Sequence, residues 1–124
     1  MQGSVQLVEL KKALRRLREA ASMPKNDIVR DSVIQRFEFT VELSWKALAR
    51  RLRSEGLAES LTPKAAIREG ARLGFVADSE AWLNFLDDRN LSSHTYKEDL
   101  AERVYAAACR FPSYVDALIQ NLEK

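Results

Sequence analysis

The sequence predicts an all-α fold, an up-and-down four-helix bundle with additional short helices. Apolar residues recur at spacings of three and four along most of the chain, the period that gives a helix one buried face. Four glycines and three prolines among 124 residues leave little room for linkers. A composition of 46% hydrophobic and 31% charged residues suits one compact domain with a modest core, spanning residues 1–124.

The first helix is expected over residues 4–21, where Leu7, Leu10, Leu14 and Leu17 form an apolar stripe opposite a basic face. Pro24, within the stretch 22–26, prevents its simple continuation. The second and longest helix is expected over residues 27–55, about 44 Å at 1.5 Å per residue. Its main stripe is Ile34, Phe37, Val41, Ser44, Leu48 and Leu52, while Phe39, Leu43 and Trp45 spread apolar surface to other faces. A helix apolar on several sides is central to a bundle or lies at a subunit interface. Glu38 and Glu42 lie one turn apart, and Glu42 can pair with Lys46. Two such carboxylates are capable of acid–base work, but without a further partner ordinary ion pairs are the favoured reading. Gly56 is a natural helix stop.

After residues 56–61, Thr62 and Pro63 read as an N-cap followed by proline at the first helical position. This third helix is expected to run to Leu73 and to end at Gly74, with Ala65, Ala66, Ile67, Gly70 and Ala71 allowing close packing. Asp78 or Ser79 caps the next helix, expected over residues 79–89 and carrying Trp82, Leu83, Phe85 and Leu86. Those aromatics either fill the core or floor a base pocket. The last helical region starts near Tyr96 with Leu100, Val104, Ala107 and Ala108 on one face, and Pro112 divides it. Tyr114, Leu118 and Leu122 continue the apolar pattern.

Between the last two regions stands RNLSSHTY, residues 89–96, with the chain's single histidine. On an unbroken helix, five residues would turn Arg89 and His94 roughly 140° apart, so a break is needed for them to converge. Asn90, Ser92 and Ser93 supply one, because their side chains favour local bonds over a helix interior. Thr95 to Glu98 has the form of a capping box, with Thr95 as N-cap. Arg89 is then expected to end one helix and His94 to precede the next. A guanidinium fork, an imidazole and the unpaired amides of a helix start together suit a phosphate. On RNA, His94 would serve as general base on the 2′-hydroxyl or general acid on the leaving oxygen, and Arg89 would stabilise charge on the phosphoryl oxygens. No metal is required. The plain alternative is a capped turn in which Arg89, after Asp87 and Asp88, pairs with a carboxylate.

Charge is uneven: residues 1–62 carry 12 basic and 8 acidic side chains, and residues 63–124 carry 8 and 10. The basic groups Lys11, Lys12, Arg15, Arg16 and Arg18, and again Lys46, Arg50, Arg51 and Arg53, are solvated helix faces or a surface for nucleic acid. One cysteine excludes an internal disulfide and, with one histidine, argues against a structural zinc site; Cys109 reads as a small core residue. No apolar run approaches a membrane span, and the first twelve residues lack the apolar stretch of a signal peptide, so a cytoplasmic location is expected. There is no Walker loop or glycine-rich dinucleotide fingerprint, so no cofactor is expected.

Arg89-Asn90 with His94 and Tyr96, late in a small helical chain, resembles the HEPN superfamily. FEFTVELSWKAL (37–48), PKAAIREGARLG (63–74) and WLNFLDDRNLSSHTY (82–96) are similar, in order and spacing, to its nucleotidyltransferase substrate-binding branch. The resemblance spans residues 7–122. It implies a homodimer or higher homo-oligomer in which the Arg and His motifs of two subunits face each other, and a separate minimal nucleotidyltransferase as partner, as in toxin–antitoxin pairs. It further implies a ribonuclease using Arg89 and His94, with Asn90 orienting the loop and Tyr96 accepting AMP from the partner. The alternative it leaves open is a non-catalytic subunit that holds a nucleotide or substrate phosphate for the partner. A purely structural helical oligomer is the third reading.

Overall fold

The computed structural model describes residues 4–57 and 60–124. Among them are six α-helices and one 3₁₀ turn: α1 (Ser4–Ala21), α2 (Asp27–Ser54), α3 (Pro63–Arg72), α4 (Ser79–Leu91), the turn Ser92–His94, α5 (Glu98–Arg110) and α6 (Pro112–Leu122). Residues 1–3, part of the stretch read for a signal peptide, and residues 58–59, part of the connection into α3, lie outside the described residues.

Local chemistry sets the helix ends. The Asn26 side chain accepts a hydrogen bond from the Val29 amide at 2.8 Å, Thr62 does so from Ala65 at 3.2 Å, and Asp78 from Ala81 at 3.0 Å. Pro63 and Pro112 each occupy a first turn, where a missing N–H costs nothing. Gly56 and Gly74 follow α2 and α3 with φ of +105° and +89°, a backbone region open chiefly to glycine.

The long helix α2 touches every other helix, and α1 also packs against α6. The predicted α2 stripe, Ile34, Phe37, Val41, Ser44, Leu48 and Leu52, is buried throughout. Ser44 stays satisfied by donating to the Thr40 carbonyl at 2.7 Å. Phe37, Trp82, Phe85 and Phe111 pack edge-on or, for Phe85 and Phe111, tilted, at centroid separations of 4.8–6.4 Å. Trp82 and Phe85 therefore belong to the core, and neither lines the cavity that holds Arg89. Gly70 brings α3 against α2: a Cβ there would meet Leu48 Cδ2 at 2.8 Å. The additional apolar surface of α2 divides, with Leu43 and Trp45 half-buried and Phe39 56% exposed.

One core assignment is corrected. Cys109 is exposed, because Ala107 and Ala108 occupy the buried face of α5 and the next residue turns outward. No helix among the described residues is long and apolar enough to cross a membrane.

Candidate phosphate site at the end of α4

Helix α4 runs to Leu91, two residues beyond the expected end at Arg89, and closes through serine and threonine hydroxyls. Ser92 donates to the Arg89 carbonyl, Ser93 to that of Asn90 at 3.3 Å, and Thr95 to that of Ser92 at 3.2 Å. This is the break that the local side chains predict.

The capping box does not form. Helix α5 begins at Glu98, and its N-cap is Lys97, with no side-chain cap bond. Helix α5 starts too late for Thr95 to cap it; the Thr95 hydroxyl donates to the Ser92 carbonyl and the Glu98 carboxylate accepts from Arg30. The first turn of α5 also carries Glu98 and Asp99. Their charges partly offset the positive end of the helix dipole, while no side-chain cap bond occupies the first amides of α5.

Arg89 is held from α2. Its guanidinium Nη2 lies 3.2 Å from Glu42 Oε1, while Lys46 Nζ lies 3.4 Å from Glu42 Oε2. One carboxylate thus links two cations. The acidic neighbours of Arg89 are engaged elsewhere, Asp87 with Lys64 at 3.1 Å and Asp88 with Arg103 at 3.2 Å. Arg89 Nε is buried and has no hydrogen-bond partner among the described residues. A donor in that state costs free energy until an acceptor reaches it.

Arg89 and Asn90 line an open cavity of about 240 Å³ with Glu42, Trp45 and Lys64. His94 and Tyr96 stand outside it, edge-to-face at 6.2 Å between ring centroids, with Tyr96 78% exposed. His94 is exposed too. The fold therefore brings Arg89 to Asn90 and His94 to Tyr96, and among the described residues no hydrogen bond joins the two pairs. Sequence reasoning left the role of Glu42 open and missed Trp45 and Lys64 as neighbours of Arg89. The Glu42–Lys46 spacing was the available signal, but the approach of α4 to α2 is tertiary. Among the described residues, no three or more His, Cys, Asp or Glu side chains are grouped as a metal ion would need.

Residues 5–124 match the family described as nucleotidyltransferase substrate binding protein like. The chain belongs to this family. It is 33% identical over 105 residues, 78% of its own length and 72% of the relative's, to a Haemophilus influenzae protein named probable ribonuclease HepT. A Thermus thermophilus crystal structure superposes with a TM-score of 0.86 at 36% identity, covering 93% of this chain and 99% of the other. A second structure, from Haemophilus influenzae and described as the fold of a substrate binding domain of a nucleotidyltransferase, gives 0.75 at 27% identity, covering 98% and 97%. Family membership and fold agree with the resemblance carried by residues 37–48, 63–74 and 82–96.

Proposed function

We propose that this chain is the substrate-binding partner of a nucleotidyltransferase and that Arg89 and His94 make it a metal-independent ribonuclease. The state of Arg89 carries the reading: a guanidinium fixed on Glu42, with an unsatisfied buried Nε, beside an open cavity and five residues before an exposed imidazole. A phosphate in that cavity would pair with the accessible part of the guanidinium, the Arg89 side chain being 36% exposed. His94 then takes the proton of the 2′-hydroxyl, whose oxygen attacks phosphorus; the 5′-oxygen leaves with a proton, and a 2′,3′-cyclic phosphate remains. Arg89 stabilises the charge that develops on the phosphoryl oxygens. Asn90 orients the loop. In a homodimer with facing motifs, one His94 acts as base and the other as acid.

Tyr96 is the acceptor for AMP from the nucleotidyltransferase. Its hydroxyl oxygen bonds to the α-phosphorus of ATP, pyrophosphate leaves and the phenolic proton is released. The exposure of Tyr96 supports this role, and its contact with His94 explains why AMP there would obstruct cleavage. Tyr96→Phe is expected to abolish partner-dependent labelling, read by intact mass; labelling that persists on another residue rejects the assignment.

The deciding experiment is RNA cleavage in EDTA by chain free of AMP, comparing wild type with His94→Ala. Cleavage confined to the wild type supports the ribonuclease; equal cleavage by both rejects this site. A second reading, a subunit that holds nucleotide without cleaving it, is favoured by the separation of the Arg89 and His94 pairs. It predicts nucleotide affinity and no cleavage by either protein.

A further inference from the structure

The Arg89 cavity has an ionic side and an apolar side. Glu42, Lys64 and Arg89 make the first; Val41, Trp45, Pro63 and Leu86 make the second. Trp45 is the aromatic residue of this lining and is half-buried, whereas Trp82 and Phe85 are sealed in the core.

The ionic side is nearly balanced. Lys64 pairs with Asp87 at 3.1 Å, and Lys46, beside the cavity on α2, pairs with Glu42 at 3.4 Å. Glu42 also holds Arg89 at 3.2 Å. Within this group the three cations Lys46, Lys64 and Arg89 face the two carboxylates Glu42 and Asp87, an excess of one positive charge. That excess suits one phosphate and not a run of them. Ion pairs with side chains 35–54% exposed add little affinity on their own, so a ligand held here must gain the larger part of its binding from the apolar side. A base stacked on an aromatic side chain supplies such a gain, about 5- to 150-fold in affinity. The size of the cavity agrees. Its volume of about 240 Å³ is below the roughly 300–1,000 Å³ of clefts that enclose a drug-sized ligand, and suits a single base.

We infer that the Arg89 cavity is a single-nucleotide subsite, in which one base stacks on Trp45 while the adjoining phosphate pairs with Arg89. The inference rests on the phosphate placement proposed above, which the ribonuclease and the nucleotide-holding subunit share. It specifies the ligand of that site: one base with one phosphate, recognised through the aromatic face more than through charge.

The test uses the full chain free of AMP and a 2-nucleotide probe, 2′-O-methyl diadenylate, which has one internal phosphate and lacks the attacking hydroxyl. Two further probes each carry an abasic sugar in place of one of the nucleosides. Removal of one base is expected to weaken binding to wild type about tenfold, and removal of the other to change it less than about twofold. Trp45→Leu should bind the intact probe about tenfold more weakly and no longer distinguish the abasic probes, whereas Trp45→Phe, which keeps a ring, retains the distinction. Arg89→Ala should weaken binding of all three probes. The salt dependence for wild type should correspond to one phosphate, a log–log slope of about 0.7 in magnitude. Circular dichroism verifies that each variant is folded. Equal affinity of wild type for the three probes, a base dependence that survives in Trp45→Leu, or absence of binding overturns the subsite. Equal affinities that fall together in Arg89→Ala overturn the base contact and keep the phosphate site. A chain that shows the base dependence but cleaves no RNA keeps the subsite and loses the ribonuclease.

Discussion

Arg30 and Arg89 are both arginines drawn toward the bundle, and the fold treats them in opposite ways. Arg30 is 6% exposed and surrounded by carboxylates: Glu102 at 3.1 Å, Asp31 at 3.3 Å, Asp27 at 3.9 Å, and Glu98. Hydrogen bonds to Glu102 and Glu98 hold its guanidinium above the usual arginine range against the opposing effect of burial. Among the described residues, Arg89 has one carboxylate, shared with Lys46, and a buried donor without an acceptor. A saturated arginine ties elements together, here α2 to α5. An undersaturated one at a cavity retains capacity for a ligand.

That contrast predicts a separation of stability from activity. The largest effects fall on cleavage: His94→Ala should lower the RNA cleavage rate by about 10²–10⁴-fold, and Arg89→Ala by about 10²–10³-fold. Both should leave stability from urea unfolding within about 1 kcal/mol of wild type. A large loss of stability in Arg89→Ala would break the comparison. Arg30→Ala should show the reverse, losing about 2 kcal/mol of stability, roughly 8 °C in Tm, with the cleavage rate of the folded protein retained.

Glu42→Gln sharpens the same comparison with a smaller effect. It removes the charge that holds Arg89 and Lys46, so affinity for the 2-nucleotide probe should change a few-fold while the Tm moves little. The direction tells which role of Glu42 dominates: tighter binding means it competes with phosphate, and weaker binding means it positions Arg89.

The smallest effect concerns pH. Glu102 is held below the usual carboxylate range, first by its hydrogen bond with Lys25 and then by that with Arg30. A lowered folded-state value gives stabilisation that is complete above the ordinary glutamate range and is lost as pH falls through the lowered value. Thermal unfolding between neutral and acid pH should show this loss in wild type and a flatter profile in Glu102→Gln.

Much of this architecture is legible in residue patterns. The stripes of α1 and α2, the caps at Thr62 and Asp78, the stops at Gly56 and Gly74 and the division at Pro112 are local signals, each acting within a turn or two of chain. The failures occur where a side chain had two possible partners. Thr95 and Glu98 carry a capping-box pattern, yet one bonds backward to Ser92 and the other across to Arg30 on α2. Cys109 lies among alanines whose inward face cannot be assigned without knowing where α2 runs.

By itself, the sequence determined the helices, the ends of α1 to α3, the break after α4 and the family, because periodicity, capping and motif spacing are properties of neighbouring residues. Only the tertiary structure decided that Glu42 rather than Asp87 or Asp88 holds Arg89, that Trp45 is the aromatic beside it, and that Glu98 pairs with Arg30. Those outcomes depend on how α4 and α5 pack against α2. Packing brings together charges 47 and 68 positions apart in the chain, the Arg89–Glu42 and Arg30–Glu98 pairs, which no local pattern encodes.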